Sequence, residues 1–262
     1  MIGIFDSGIG GMTLLTQAMV DLPQENFIFY ADTDNVPYGT KTKEEIIDFT
    51  TNILEFMKDH GCKAVVIACN TATAAAVKVV REKFDFPIIG IEPAVKPAVE
   101  NSKGKRVMVI ATPLTIKEEK LKNLVARVDD THLVDMIAFP GLVEFAEKRQ
   151  FQGKEVEDYI RERLKDYDLN NYSEFVLGCT HFNYFKDSFC KVLPSGIGLI
   201  DGSKGTINQL KRILEKDNLL ANEDGSVEYY FSGRVANSKE ELEDFKILRE
   251  RLDAMRKITV TE

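Results

Sequence analysis

Two short stretches carry the residues most able to do chemistry. "ACNTATA" places Cys69 and "GCTHF" places Cys179, each at the end of an apolar run and just before a helical pattern. A strand cysteine is most often a small buried hydrophobe. Here each thiol is followed by small polar residues, Asn70-Thr71 and Thr180-His181, which an inert core cysteine does not need. A helix N-terminus also lowers a thiol below its usual value of about 8.5. Cys62 and Cys190 lack this setting and read as structural or incidental.

Two such thiols could form a redox disulfide, hold a metal together with His181, or transfer protons at one stereocentre from both faces. The last use asks for a thiolate on one side and a thiol on the other, each tuned toward the working pH. No CxxC pair exists, so a structural zinc site is a poor fit. The chain has 262 residues, enough for a large core, and "MIGIFDSGIGG" does not read as a secretory leader, so disulfide staples are not expected either.

Other candidates lie near strand ends. "DSGIGG", Asp6 to Gly11, follows the first apolar run but fails the dinucleotide fingerprint, since the third glycine position holds Thr13. It reads as a turn exposing backbone N–H groups, with Asp6 and Ser7 facing a cleft. His181, two residues past Cys179, can orient the thiol, share its proton or bind a carboxylate. "NVPYGTKT" is a turn in which Tyr38 and Gly39 can offer a hydroxyl and N–H groups. Glu144 falls at a helix start, where an acid suits the dipole in any case.

The elements that must hold these residues alternate between short β-rich runs and helical patterns. Strands are expected at Ile2–Phe5, Asn26–Ala31, Ala64–Ala68, Pro87–Gly90, Arg106–Ala111, His132–Ala138, Glu174–Gly178, Gly196–Ile200 and Val227–Phe231. Thr42 to Glu45 and Ser238 to Glu241 read as capping boxes opening helices. This is an α/β pattern with mainly parallel sheets, in which ligands sit beyond the carboxyl ends of strands.

Spacing also hints at duplication. Counting 26 residues from Asp6 and from Thr112 reaches Asp32 and Ala138, and counting 32 reaches Tyr38 and Glu144. Cys69 lies 63 beyond Asp6 and Cys179 lies 67 beyond Thr112. The next strand ends follow at Glu92 and Asp201. Two similar α/β lobes are therefore expected, residues 1–94 with 206–262 and residues 95–205, related by a pseudo-twofold duplication with the site in the cleft between them. Each lobe then presents one cysteine to that cleft.

Composition narrows the partners. The chain is 44% hydrophobic and 29% charged, as in ordinary globular proteins. Its net charge of −8 and lack of a basic run argue against nucleic acid. No apolar run nears the ~18–20 residues of a membrane span. A cytoplasmic protein that binds a small molecule is the expectation.

"IGIFDSGIGG", "ADTDNVPYG", "ACNTATA" and "LGCTHF", in this order and spacing, resemble the glutamate racemases of the cofactor-independent aspartate/glutamate racemase superfamily. The resemblance implies interconversion of L- and D-glutamate, supplying D-glutamate for bacterial peptidoglycan, without cofactor or metal, by a homodimer. It makes Cys69 the acid/base toward the D-enantiomer and Cys179 toward the L-enantiomer, assisted by Asp6, His181 and Glu144. Substrate binding falls to Asp6, Ser7, Tyr38, Gly39, Asn70, Thr71, Thr180 and His181, with Thr112 and Thr115 as additions. The chain departs from the family's usual "CP" before the Glu144 loop, reading "AFPGLVE" with Ala138. An aspartate or related diacid racemase is the alternative within the same superfamily. A two-lobed binding module is the alternative outside it.

Overall fold

The computed structural model describes residues 1–222 and 224–258. Among the described residues, ten strands fall into two sheets. In chain order they are β1 (Ile2–Asp6), β2 (Phe27–Ala31), β3 (Ala64–Ile67), β4 (Ile88–Gly90), β5 (Arg106–Ala111), β6 (Val134–Ala138), β7 (Tyr172–Leu177), β8 (Gly198–Asp201), β9 (Val227–Phe231) and β10 (Arg234–Val235). The first sheet runs β10-β9-β2-β1-β3-β4 and the second β6-β5-β7-β8. Every pairing is parallel except the β9–β10 hairpin.

Taken within each sheet, the first four strands stand in the same order, second-first-third-fourth. The duplication suggested by spacing is thus present as topology. In this order the chain moves one way from its first strand and the other way from its third. The crevice between those two strands is the switch point where ligands of open α/β sheets bind. In the first sheet it lies between the ends of β1 and β3, and in the second between β5 and β7.

Burial explains why these segments become strands. All residues of β1, β2 and β3 are buried, as expected when helices cover both faces of a parallel sheet. One apolar cluster continues from Ile4 and Phe29 to Met108, Ile110 and Leu177, joining the inner faces of both sheets. The C-terminal segment returns to the first sheet, where β9 pairs with β2.

Helices begin where the sequence signals them. Thr42 and Ser238 form capping boxes with Glu45 and Glu241, opening helices Lys43–Asp59 and Lys239–Arg256. Differences are local. The run at His132 does not start a strand, because His132 adopts φ +57° and β6 begins at Val134. Asp129 accepts the N–H groups of Leu133 and Val134 and shapes that turn. Among the described residues no helix is long and apolar enough to cross a membrane.

Candidate active site

The two switch points face one cavity, whose wall includes Ser7, Tyr38, Gly39, Cys69, Asn70, Thr71, Thr112, Glu144, Cys179, Thr180 and His181. Nearly every residue singled out from the sequence is brought together here. Asp6 and Thr115 stand directly behind the wall, bonded to Thr180 and Thr112.

Cys69 is the N-cap of the helix Asn70–Arg81. That helix is Ala-rich, a strong helix-forming composition, and ends on Lys78 and Arg81, which suit the negative end of its dipole. The Cys69 sulfur accepts the Ala72 N–H at 3.4 Å and lies 3.6 Å from the Ser7 hydroxyl. Burial nevertheless pushes this thiol up to about 12, with the charge of Asp6 adding to it and the Ala72 and Ser7 bonds offsetting only part. The helix terminus is there, as the sequence implies, but desolvation outweighs it.

Cys179 follows β7 and precedes a six-residue 3-10 segment, Thr180–Phe185, rather than an α-helix. Its sulfur has no capping bond and lies 3.8 Å from His181 Nδ1. The other ring nitrogen, Nε2, meets Glu147 Oε1 at 2.7 Å, and the same oxygen accepts the Ile9 N–H at 3.0 Å. Burial works against a charged His181, but its bonds with Cys179 and Glu147 outweigh burial and raise it well above the ordinary histidine range. Glu147 is pushed up by burial and pulled down further by His181, Ile9 and Arg149, ending below the usual carboxylate value. The pair is held as imidazolium and carboxylate.

The acid that supports His181 is therefore Glu147 and not Glu144. Both lie on the helix Gly141–Glu147, three residues apart. Glu144 is exposed at the cavity rim, while Glu147 turns inward onto His181. Nothing in the local sequence distinguishes Glu147 from Glu144 as the partner of His181.

The glycine turn is explained by this pair. A side chain at Gly8 would place its Cβ 2.0 Å from Glu147 Oε1, and one at Gly10 would meet His181 Nδ1 and Thr180 Oγ1 at 2.4 Å. Glycine lets the turn after β1 close on the imidazole that follows β7 without displacing this pair. Asp6 is fully buried and accepts the Gly8 N–H at 3.1 Å and the Thr180 hydroxyl at 3.0 Å. Burial raises Asp6 above its usual value despite the nearby His181.

The rest of the wall is polar and short. Thr71, Thr112 and Thr115 form a closed triangle of hydroxyl contacts at 2.9–3.2 Å. Asn70 is buried, yet neither its Nδ2 nor its Oδ1 has a protein partner. An unpaired buried amide is costly, and in a cavity wall it marks a place for a polar ligand. Tyr38 donates its hydroxyl to Asp32 at 2.5 Å, and Asp32 is braced by Asn35 and by Ser232 from the β9–β10 hairpin. That C-terminal brace left no signal in the local residue pattern. Burial and the Asp32 charge hold the Tyr38 phenol well above its ordinary value, so it stays a donor.

All four cysteines are free. Among the described residues, no group of three or more His, Cys, Asp or Glu side chains is arranged to hold a metal ion.

Fold and site together define a two-sheet α/β protein with one thiol at each of two equivalent switch points on a single cavity. The chain belongs to the Asp/Glu/hydantoin racemase family, whose model matches residues 11–210, and is thus an isomerase of the racemase type. It is 52% identical over 263 residues to a glutamate racemase of Lachnospira eligens, covering 98% of this chain and 99% of that protein. A glutamate racemase of Bacillus subtilis is 50% identical over 254 residues, 96% of each chain. Among solved structures, the glutamate racemase of Francisella tularensis in complex with D-glutamate superposes with a TM-score of 0.81 at 29% identity, covering 95% of this chain and 93% of that one.

Proposed function

We propose that the protein interconverts L- and D-glutamate by proton transfer between Cα and two opposed thiols, supplying D-glutamate for bacterial peptidoglycan synthesis. The observation that carries this reading is the pair Cys69 and Cys179 on one cavity, reached from equivalent points of two like-ordered sheets. A stereocentre has two faces, and inversion needs an acid/base on each.

In the L-to-D direction the Cys179 sulfur, as thiolate beside the His181 imidazolium, takes the α-proton. The electron pair left at Cα spreads into the substrate carboxylate. The Cys69 thiol, kept protonated because burial pushes it up to about 12, delivers its proton to the opposite face. The reverse direction exchanges the roles. Asp6, whose charge is felt at Cys69, is the acid/base assistant on that side, and Glu147 with His181 is the assistant on the other. Asn70, Thr71, Thr180 and the N-terminus of the helix Asn70–Arg81 suit carboxylate recognition. Glutamate is preferred to aspartate because both high-identity relatives named above are glutamate racemases.

Two lobes, 1–94 with 206–262 and 95–205, are our division of the chain. Sheet membership of β1–β4 with β9–β10, and of β5–β8, supports it, while residues 223 and 259–262 lie outside the described residues. A cytoplasmic homodimer belongs to the same proposal.

Circular dichroism of L- and D-glutamate incubated with the purified protein, with no added cofactor, tests the reading. Both signals should decay to zero with no net consumption of glutamate. Decay with aspartate and none with glutamate would contradict it.

A further inference from the structure

Behind the Glu147–His181 pair lies a charged link to the C-terminal helix. Arg149 sits two residues past Glu147 in the left-handed region, φ +61°. That is the position after a helix C-terminus where glycine is the usual occupant, and a longer side chain there is strained. The Arg149 N–H nonetheless closes the helix end onto the Ala146 carbonyl at 2.9 Å. Its guanidinium is held on both sides. Nε donates to Asp244 Oδ1 at 3.0 Å and Nη2 to Asp244 Oδ2 at 2.5 Å, a two-pronged bond to the helix Lys239–Arg256. Nη1 donates to the Glu147 carbonyl at 2.8 Å and stands 4.0 Å from Glu147 Oε2.

The two oxygens of Glu147 are thereby divided. Oε1 serves His181 and Ile9, and Oε2 faces Arg149. We propose that Arg149, anchored by Asp244, is a positioning residue that fixes the Glu147 carboxylate on His181 and tempers its hold on the imidazole proton. Asp244, Arg149, Glu147, His181 and Cys179 then form one chain of contacts from the C-terminal helix to the second thiol. Without a balancing cation, Glu147 would grip the imidazolium more tightly and make it slower to exchange protons with the sulfur. The charged and titratable groups around Glu147 are His181 and Tyr184 from the 3-10 segment, Asp6 from the end of β1, Arg149, and Asp244 beyond it. Of these, Arg149 is the one permanent cation. The C-terminal helix is tied a second time nearby, through Arg251 to Asp187 and the Tyr184 carbonyl, so its placement is fixed independently of Asp244.

This inference rests on the proposed role of Glu147 and His181, and the test separates the two. The chain has three histidines, so the His181 ring can be followed by NMR titration of the full-length protein, assigned with His60→Gln and His132→Gln variants. In Arg149→Gln the His181 midpoint should rise by about half to one pH unit, the size of a partly exposed charge contact. The basic limb of kcat/KM should move with it, and kcat should fall about threefold to tenfold. Because the two enantiomers are equal in free energy, kcat/KM must shift equally in both directions. Arg149→Lys should restore most of the wild-type midpoint. Asp244→Asn, which releases the guanidinium, should shift it the same way by less. An unmoved midpoint in Arg149→Gln or in Asp244→Asn, with the fold intact by thermal unfolding, overturns the proposal. Glu147→Gln should shift the midpoint downward. If it does not, the supporting role of Glu147 itself is wrong.

Discussion

The two switch points share a topology and differ in chemistry. On the first, Cys69 caps an α-helix and touches a hydroxyl and a backbone N–H, with no imidazole beside it. On the second, Cys179 heads a 3-10 segment that delivers His181, and Glu147 holds the imidazole from behind. Duplication supplied two equivalent places to mount a thiol. It did not supply two equivalent thiols. Burial pushes the Cys69 thiol up to about 12, whereas Cys179 has the His181 imidazole in contact. The two sulfurs thus stand in unlike surroundings on like scaffolds, which is what the proposed two-sided proton transfer asks of them.

The largest effect should come from removing either thiol. Cys69→Ala and Cys179→Ala should each lower racemisation at least about 10³-fold. A variant that keeps most of its activity would mean that the two sides are not partners. Next, His181→Asn should lower kcat about tenfold to a hundredfold, the scale of one charge-assisted hydrogen bond, while leaving Cys69 in place. An equal loss of alkylation at Cys69 in that variant would erase the distinction between the two sides. Asn70→Ala should act mainly on KM, raising it about tenfold, since neither atom of its buried amide has a partner in the protein. A change confined to kcat would assign Asn70 to the chemistry instead. A finer probe is iodoacetamide reactivity of single-thiol proteins. With Cys179 replaced, alkylation of Cys69 should keep rising well above pH 9, because burial has pushed it up to about 12. A plateau near neutrality would contradict the asymmetry.

The smallest effect is on stability. Glu147 lies below its ordinary 4.5 in the folded protein, so its contribution is full above that pH and is lost as pH falls through the folded value. His181 lies above its ordinary 6.5, so its contribution is full below that pH and is lost as pH rises through the folded value. The pair therefore stabilises most between about pH 4.5 and 6.5. Glu147→Gln should flatten both flanks of the melting temperature against pH, and unchanged flanks would show that the pair adds nothing to folding.

Much of this was legible in the residues. Apolar runs bounded by turn residues placed nine of the strands to within a few positions, and β5 and β9 to the residue. Capping boxes at Thr42 and Ser238 fixed two helix starts, because that signal is local and chemical. Equal spacing pointed to the duplication, because strands and crossovers of like length build like sheets. What failed depended on contacts distant in sequence. Glu144 and Glu147 share a helix, and only the docking of that helix on the glycine turn decides which one reaches His181. The Cys69 thiol has a helix terminus, readable from sequence, and a desolvation that only the closed cavity creates. The Ser232 brace on Asp32, and through it on Tyr38, spans 200 residues of chain. The short strand β10 has too few residues to leave a periodic signal.

The two-sided mechanism makes its sharpest statement about where solvent hydrogen enters. L-glutamate turned over in deuterium oxide, stopped at a few per cent conversion and resolved into enantiomers, should give D-glutamate carrying deuterium at Cα while the recovered L-glutamate remains unlabelled. The same should hold with the enantiomers exchanged. Deuterium appearing in recovered substrate as fast as in product, or product that keeps its original proton, would show a single base working on both faces and would contradict the division of labour between Cys69 and Cys179.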